Sequence, residues 1–291
     1  MSRKKQSGAD RAESKKRRKR ETDDAAATEL DGEELSPLAK FWEQVGPIFF
    51  AILIALGIRA VIIESYYVPS GSMLPTMYIG DHVFVSKFAY GARIPILDIP
   101  LPAVREPERG EIVVFHLGRG GEKERGRICP LDECPDFSAE GFVKRIVGLP
   151  GDTVEYRSGK LFLNGSPAEQ VLQPKTFSDD RGEAHRLLTE DLDGCVHEIL
   201  DHPRRPGLTQ APLTIPEDRY FVLGDNRDNS NDSRGWGTVH RMHLKGPVLI
   251  NYWAWNNTYS WLAMLNPWTW IKLLWGEMYW DRIGMTYDCR G

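Results

Sequence analysis

Phe142-Val-Lys-Arg-Ile-Val-Gly-Leu-Pro-Gly-Asp152 is an apolar, β-branched run that breaks into a turn. Valine, isoleucine and phenylalanine at this density suit a pleated strand, and Pro150-Gly151-Asp152 ends it. Lys144 and Arg145 are adjacent, so in a strand they face opposite sides. One is expected to point inward while the other stays in water. A lysine normally holds its proton at neutral pH, with a reference pKa of about 10.4. Burial disfavours the charged form, and a neutral amine can take a proton from a serine hydroxyl. The plainer reading of Lys144 is a surface strand residue.

Outward from this strand the same texture repeats. Short β-rich runs cover His82–Lys87, Glu111–His116, Phe142–Leu149, Thr153–Arg157, Lys160–Leu163, Arg219–Leu223 and Pro247–Trp253. Gly80-Asp81, Ser158-Gly159 and Asn164-Gly165 punctuate them, and Lys160–Leu163 reads as part of a hairpin. Many short strands with few helical patterns predict a β-dominated domain. Arg119–Glu140 and residues 168–216 read as insertions, the second a small cap or subdomain. Its His185, His197 and His202 fit no ligand spacing and are expected as solvated surface, so no metal is assigned.

The chain has 291 residues, 41% of them hydrophobic, enough for a packed core, and a formal charge of −4. That balance points to no nucleic-acid partner. Cys129 and Cys134 are close enough to bridge in an oxidising compartment. Free thiols remain open, and metal is the weakest option because the spacing is not Cys-x-x-Cys.

Residues 1–43 are charged and almost without aromatics, and are expected to be a disordered tail. They include the basic run Lys15-Lys16-Arg17-Arg18-Lys19-Arg20. Residues 44–63 hold the apolar run Val45–Ile63, broken only by Arg59, the length of one transmembrane helix. The basic run places the N-terminus in the cytoplasm, and residues 64–291 outside. Near the other end, residues 257–280 are rich in tryptophan. Trp261, Trp268, Trp270, Trp275 and Trp280 suit a membrane interface, a second span or ordinary core, with Pro267 opening a short helix.

Val68-Pro-Ser-Gly-Ser-Met-Leu-Pro-Thr-Met77 follows the apolar run. Its prolines keep it out of a helix or central strand. At no more than about 3.5 Å per residue, Ser72 lies within roughly 30 Å of the outer membrane surface. Gly224-Asp-Asn-Arg-Asp-Asn-Ser-Asn-Asp-Ser-Arg234 is a dense run of turn-formers with two arginines, suited to a rigid loop. It lacks the glycine and terminal glutamate spacing of a calcium loop.

Together these three stretches resemble the nucleophile, lysine and third signature motifs of bacterial signal peptidase I, a membrane-bound Ser/Lys protease. Gly80-Asp81 and Arg109-Gly-Glu-Ile-Val-Val-Phe115 match in order as well. The resemblance covers about Arg59–Gly165 and Asp218–Trp253, with a short return at Arg282-Ile-Gly284. It implies a β-rich catalytic core with a smaller inserted β region, preceded by one transmembrane helix. It implies Ser72 as nucleophile and Lys144 as general base, with no cofactor. Ser70 and the Ser72 N–H would form the oxyanion hole. Ser230 would orient the lysine amine, and Asp232 and Arg234 would form a supporting ion pair. Val68, Met73, Met77 and Phe142 would line shallow pockets for small side chains. The implied partners are signal-peptide-bearing preproteins and the lipid bilayer of the bacterial cytoplasmic membrane. His240 stands where a proline is common in the family, and residues 168–216 and the tryptophan-rich segment have no match. Two rivals remain. One is a self-cleaving LexA-type repressor, which would be soluble and carry a DNA-binding module. The other is a catalytically silent membrane-anchored binding protein of the same fold.

Overall fold

The computed structural model describes residues 36–91, 93–94, 99–120, 127–134, 138–179, 181–205, 207, 209–255, 266–272, 276 and 278–287. Of the tail read at residues 1–43, residues 1–35 with the basic run lie outside them, as do Trp261 and Trp275, while residues 37–43 stand in a helix. The chain divides at Leu56 and Gly57 into two units.

A helix runs from Pro37 to Val61 with Pro47 inside it. Ile48, Phe50, Ile52, Ile54 and Leu56 are all exposed along it. The expected apolar run reached Ile63, but the helix ends at Val61 and Ile63 already opens a strand. Among the described residues, no helix is long and apolar enough to cross a membrane.

The second unit is built of strands. In order they are β1 (Ile63–Tyr67), β2 (Asp81–Ser86), β3 (Arg93–Ile94), β4 (Ile99–Pro100), β5 (Ile112–Arg119), β6 (Ile128–Cys129), β7 (Ser138–Gly148), β8 (Thr153–Arg157) and β9 (Lys160–Leu163). There follow β10 (Ser166–Pro167), β11 (Glu169–Ser178), β12 (Ala184–Leu192), β13 (Cys195–Asp201), β14 (Gln210–Thr214), β15 (Arg219–Leu223), β16 (Val239–His240) and β17 (Leu244–Ala254). The large sheet has the order β1-β2-β17-β5-β7-β15-β16, with β6 added on β5. The fold is mainly β, as expected from the sequence.

Between β7 and β15, which pair directly, the chain leaves the large sheet to make two smaller ones. One has the order β10-β9-β8-β14, the other β11-β12-β13. Two-residue turns with positive φ drive the hairpins. They are Ser158-Gly159 (47° and 85°), Asn164-Gly165 (50° and 84°) and Asp193-Gly194 (55° and 91°). Positive φ at both positions is the twist-matched hairpin turn, and Asn, Asp and Gly tolerate it best.

β5 and β7 are covered on both faces. One face feeds a cluster with Val113, Phe115, Leu117, Ile146 and Val222. The other feeds Val68, Met73, Met77, Val83, Ile112 and Val114. Leu187 and Leu200 of the inserted sheet pack against Leu74. Residues 168–216 are the second of the two insertions read from the sequence. They hold β11–β14, and His185 and His197 are buried, contrary to the solvated histidines the sequence suggests. The inward side of β12 and β13 is a packing face, so alternate residues go inside whatever their polarity.

Cys129 and Cys134 are bonded, with S–S 2.02 Å and Cα atoms 5.9 Å apart. That closes the question left open by their spacing. Cys195 is disulfide-bonded as well.

Candidate active site

Ser72 sits in a single 3-10 turn, Gly71–Met73, entered from an extended Ser70 and followed by a cis Leu74-Pro75 bond. Proline at each flank keeps the turn from joining a strand. Lys144 projects from the middle of β7. Its Nζ donates to Ser72 Oγ at 2.6 Å and to the Val143 carbonyl at 2.9 Å. Only 4% of Lys144 is exposed. Burial lowers the pKa of its amine from the ordinary 10.5 to about 8, against the opposing pull of Asp232 and Asp225. At that value a useful fraction of the amine is uncharged at neutral pH, and it already touches a hydroxyl. Ser70 Oγ lies 3.3 Å from Ser72 Oγ, a polar group beside the nucleophile position.

Arg145 does not stay in water as the strand alternation suggests. It is 2% exposed, because β7 is covered on both faces. Its guanidinium holds Asp225 with Nε to Oδ1 at 2.9 Å and Nη2 to Oδ2 at 2.7 Å, and donates to the Gly110 carbonyl at 2.7 Å. Arg145 favours the ionised form of Asp225, whose carboxyl lies below the usual range despite the opposing effect of burial. Thr76 donates to the same carboxylate at 2.6 Å.

The Gly224–Arg234 loop meets the serine turn through Asn226. Its N–H donates to the Ser72 carbonyl at 3.1 Å, and its Nδ2 to the Gly71 carbonyl at 3.0 Å. Gly224 is a close approach. A Cβ there would stand 2.5 Å from the Ser72 carbonyl oxygen and 2.3 Å from Ser230 Oγ. Asp232 and Arg234 are paired, with Nε to Oδ1 at 2.8 Å and Nη2 to Oδ2 at 2.7 Å. Asp232 also accepts from the Gly224 N–H at 3.1 Å.

Ser230 stands beside Gly224 and is not hydrogen-bonded to the lysine. Its Oγ is buried without a protein partner, so the structure lacks the Ser230–Lys144 hydrogen bond that the resemblance implies. Val68, Met73 and Met77 form one cluster with Val143. Phe142 packs in another, against Phe115. Neighbours in a strand point to opposite faces, so these four side chains do not share one wall.

Sequence reasoning missed Asn226, the Arg145–Asp225 pair and Arg282, whose Nη2 reaches the Thr76 carbonyl at 3.0 Å. The runs Lys144-Arg145 and Gly224-Asp225-Asn226 carried the signal, since a charge on each side of a buried strand needs a partner. Among the described residues one trio offers metal-ligand atoms: Asp179, Glu183 and His185, within 4.8 Å of one another. Asp179 is already engaged, accepting from the N–H groups of Arg181 and Glu183 at 3.0 and 2.8 Å and contacting His185. A tight turn accounts for it.

A family model described as signal peptidase, peptidase S26, matches residues 41–253. Signal peptidase I of Pseudomonas fluorescens is 39% identical over 199 residues, covering 66% of this chain and 62% of that protein. Signal peptidase I of Pseudomonas aeruginosa is 35% identical over 220 residues, covering 74% and 68%. A signal peptidase I structure from Enterococcus faecalis V583 is 26% identical, covers 50% of this chain and 98% of that one, and superposes with a TM-score of 0.29.

Proposed function

The chain belongs to the signal peptidase family, peptidase S26, and on that premise we propose that it removes signal peptides from exported preproteins, with Ser72 as nucleophile and Lys144 as general base. The observation that carries this reading is the 2.6 Å contact between Lys144 Nζ and Ser72 Oγ in a buried setting. Few surroundings bring an amine to a serine while withholding water from it.

The geometry supports the following chemistry. Lys144 takes the Ser72 proton as Oγ attacks the peptide carbonyl. The developing oxyanion is met by the Ser72 N–H and the Ser70 hydroxyl, each such donor being worth about 3 kcal/mol in the transition state. Lys144 returns the proton to the leaving amine, then activates the water that releases the acyl group. Asp232 and Arg234 hold the loop behind the lysine. Small residues at the cleavage site, of the Ala-x-Ala kind, are the expected substrates. Val68, Met73 and Met77, which share one cluster, shape the recognition of those side chains, while Phe142 packs in a separate cluster and does not join them.

The anchor in this reading is the apolar run Val45–Ile63, about the 20 residues that a hydrocarbon core of about 30 Å calls for. Its exposed isoleucine, leucine and phenylalanine side chains need an apolar solvent. The upstream basic run sets the N-terminus in the cytoplasm and the catalytic unit on the outer side of the bacterial cytoplasmic membrane. Trp268, Trp270 and Trp280 are exposed and suit the interface of the same bilayer.

The test is cleavage of a preprotein bearing an Ala-x-Ala site by the detergent-solubilised protein, mapped by mass spectrometry. Wild type cuts after the final alanine. Ser72→Ala and Lys144→Ala each lose the cut while staying folded. A full-rate cut by Lys144→Ala would remove the lysine from the mechanism. No cut by wild type would favour the silent binding protein.

A further inference from the structure

The inserted sheet β11-β12-β13 carries two ionisable side chains on its packed face. Glu190 of β12 is fully buried and His197 of β13 nearly so. Such groups are costly to bury and stay only where they are paired. Glu190 grips Arg227 with both oxygens, Oε1 accepting from Nη1 at 2.8 Å and Oε2 from Nη2. Gln170 of β11 donates to the same Oε1 at 2.7 Å. His197 Nε2 stands 3.5 Å from Glu190 and 3.9 Å from Asp225.

Arg227 is the residue after Asn226, in the loop that holds the serine turn. It is 3% exposed, and Glu190 is its carboxylate partner. Its carbonyl accepts from Arg234 Nη2 at 2.6 Å. One residue upstream, Asn226 grips the Gly71 and Ser72 carbonyls. One more upstream, the Asp225 carbonyl accepts from the Leu200 N–H of β13 at 2.8 Å. Two strands of the insertion thus hold two adjoining points of the loop, by a bidentate ion pair and a backbone bond. The orientation of a peptide's N–H is tied to that of its carbonyl because the unit is planar. Fixing the Gly71 carbonyl therefore fixes the Ser72 N–H.

We propose that Glu190 is a positioning residue for proteolysis: through Arg227 it braces the Asn226 turn, and so holds the Ser72 N–H and Oγ in register with Lys144. The insertion then acts as a brace on the catalytic loop rather than a cover over the substrate. This rests on the reading of Ser72 and Lys144 as the catalytic pair. Bidentate pairing suits the task because it fixes direction as well as distance.

The test uses the full-length protein in detergent and a preprotein substrate. Glu190→Gln keeps the shape but loses the charge that orients Arg227. It is expected to lower kcat 30-fold or more with KM within twofold, and to move the pH midpoint of kcat/KM away from that of wild type. Glu190→Asp keeps the charge on a shorter arm and is expected to recover part of kcat. It also serves if Glu190→Gln does not fold. Rates are taken per folded molecule, from the unfolding transition of each variant. Unchanged kcat and pH midpoint in folded Glu190→Gln, or in Glu190→Asp where only that one folds, would overturn the proposal. So would a loss of activity that a smaller folded fraction accounts for in full. Wild-type cleavage that vanishes in Lys144→Ala keeps the catalytic reading intact in those cases. Failure of wild type to cleave would instead bring down that reading and this one together.

Discussion

A lysine that is to accept a proton must be uncharged when the serine is ready, and Lys144 meets this by being buried at a cost to stability. Below about pH 8 its amine is protonated in both the folded and the unfolded chain. Between about 8 and 10.5 only the unfolded chain keeps the proton. Folding stability from this group therefore rises with pH across that window. The active fraction rises through its lower edge. We expect kcat/KM to fall about tenfold per pH unit below about pH 8 and to level off above it. A flat profile from pH 6 to 9 would count against Lys144 as the base. The same cost predicts that Lys144→Met abolishes processing and at pH 7 raises stability, on the order of 1–3 kcal/mol by urea unfolding. Gly224 is a second residue of the site whose identity is forced. A methyl group there would meet the Ser72 carbonyl oxygen at 2.5 Å. Gly224→Ala is expected to cost about 1–3 kcal/mol and at least tenfold in kcat, since the loop must back away from the serine turn. A variant as active as wild type would show that the loop gives freely.

At the scale of elements, the inserted sheet is where reading the sequence fell short. The seven short runs read as strands all became strands, because their β-branched side chains alternate between turns that demand glycine or asparagine. β12 and β13 use the same device. Asp193-Gly194 joins them, with Leu192 paired to Cys195 across the turn. That signal was legible. It was masked because the inward positions include His185, Glu190 and His197, which a polarity count assigns to water. The dyad motifs were legible because each is a short contiguous run. Glu190–Arg227 was not, since its partners are 37 positions apart and neither looks apolar. The polar face has a measurable consequence. Burial lowers the pKa of His197 from the ordinary 6.5 to about 4, with Arg145 adding to the effect. Between those values the unfolded chain takes a proton that the folded chain refuses, so stability falls as pH drops through the window. The full gap is worth about 3.5 kcal/mol at about 1.4 kcal/mol per pH unit. His197→Gln is expected to lose much of this acid sensitivity between pH 6.5 and 4. An unfolding midpoint whose pH dependence matches wild type would refute that origin.

At the scale of the whole catalytic unit, the chain's late segment closes on its early one. Arg282 donates from Nε to Asp81 Oδ1 at 2.9 Å across a sequence separation of 201 residues. It lies over the Tyr78 ring at 4.0 Å and bonds the Thr76 carbonyl, so one side chain touches both ends of the segment leading from the serine turn into β2. Asp81 has no exposed surface, and it also accepts from Asn251 Nδ2 of β17 at 3.0 Å and from the Tyr78 N–H at 2.8 Å. β2 and β17 are thereby tied to each other and to the late segment. Contacts this distant in sequence give no local folding advantage and form late, after loop closure has been met. Their loss should speed unfolding more than it slows folding. Arg282→Met keeps the length of the side chain but leaves the Asp81 carboxylate buried without its cation, which costs about 3–5 kcal/mol. Asp81→Asn alone leaves the arginine unmatched and is expected to cost a similar amount. The double variant should be far less damaged than the two losses added, because neither charge then remains without the other. Urea unfolding of the four proteins measures this directly. Losses that simply add would mean that Arg282 and Asp81 act separately, and that the late segment is held by its packing rather than by this pair.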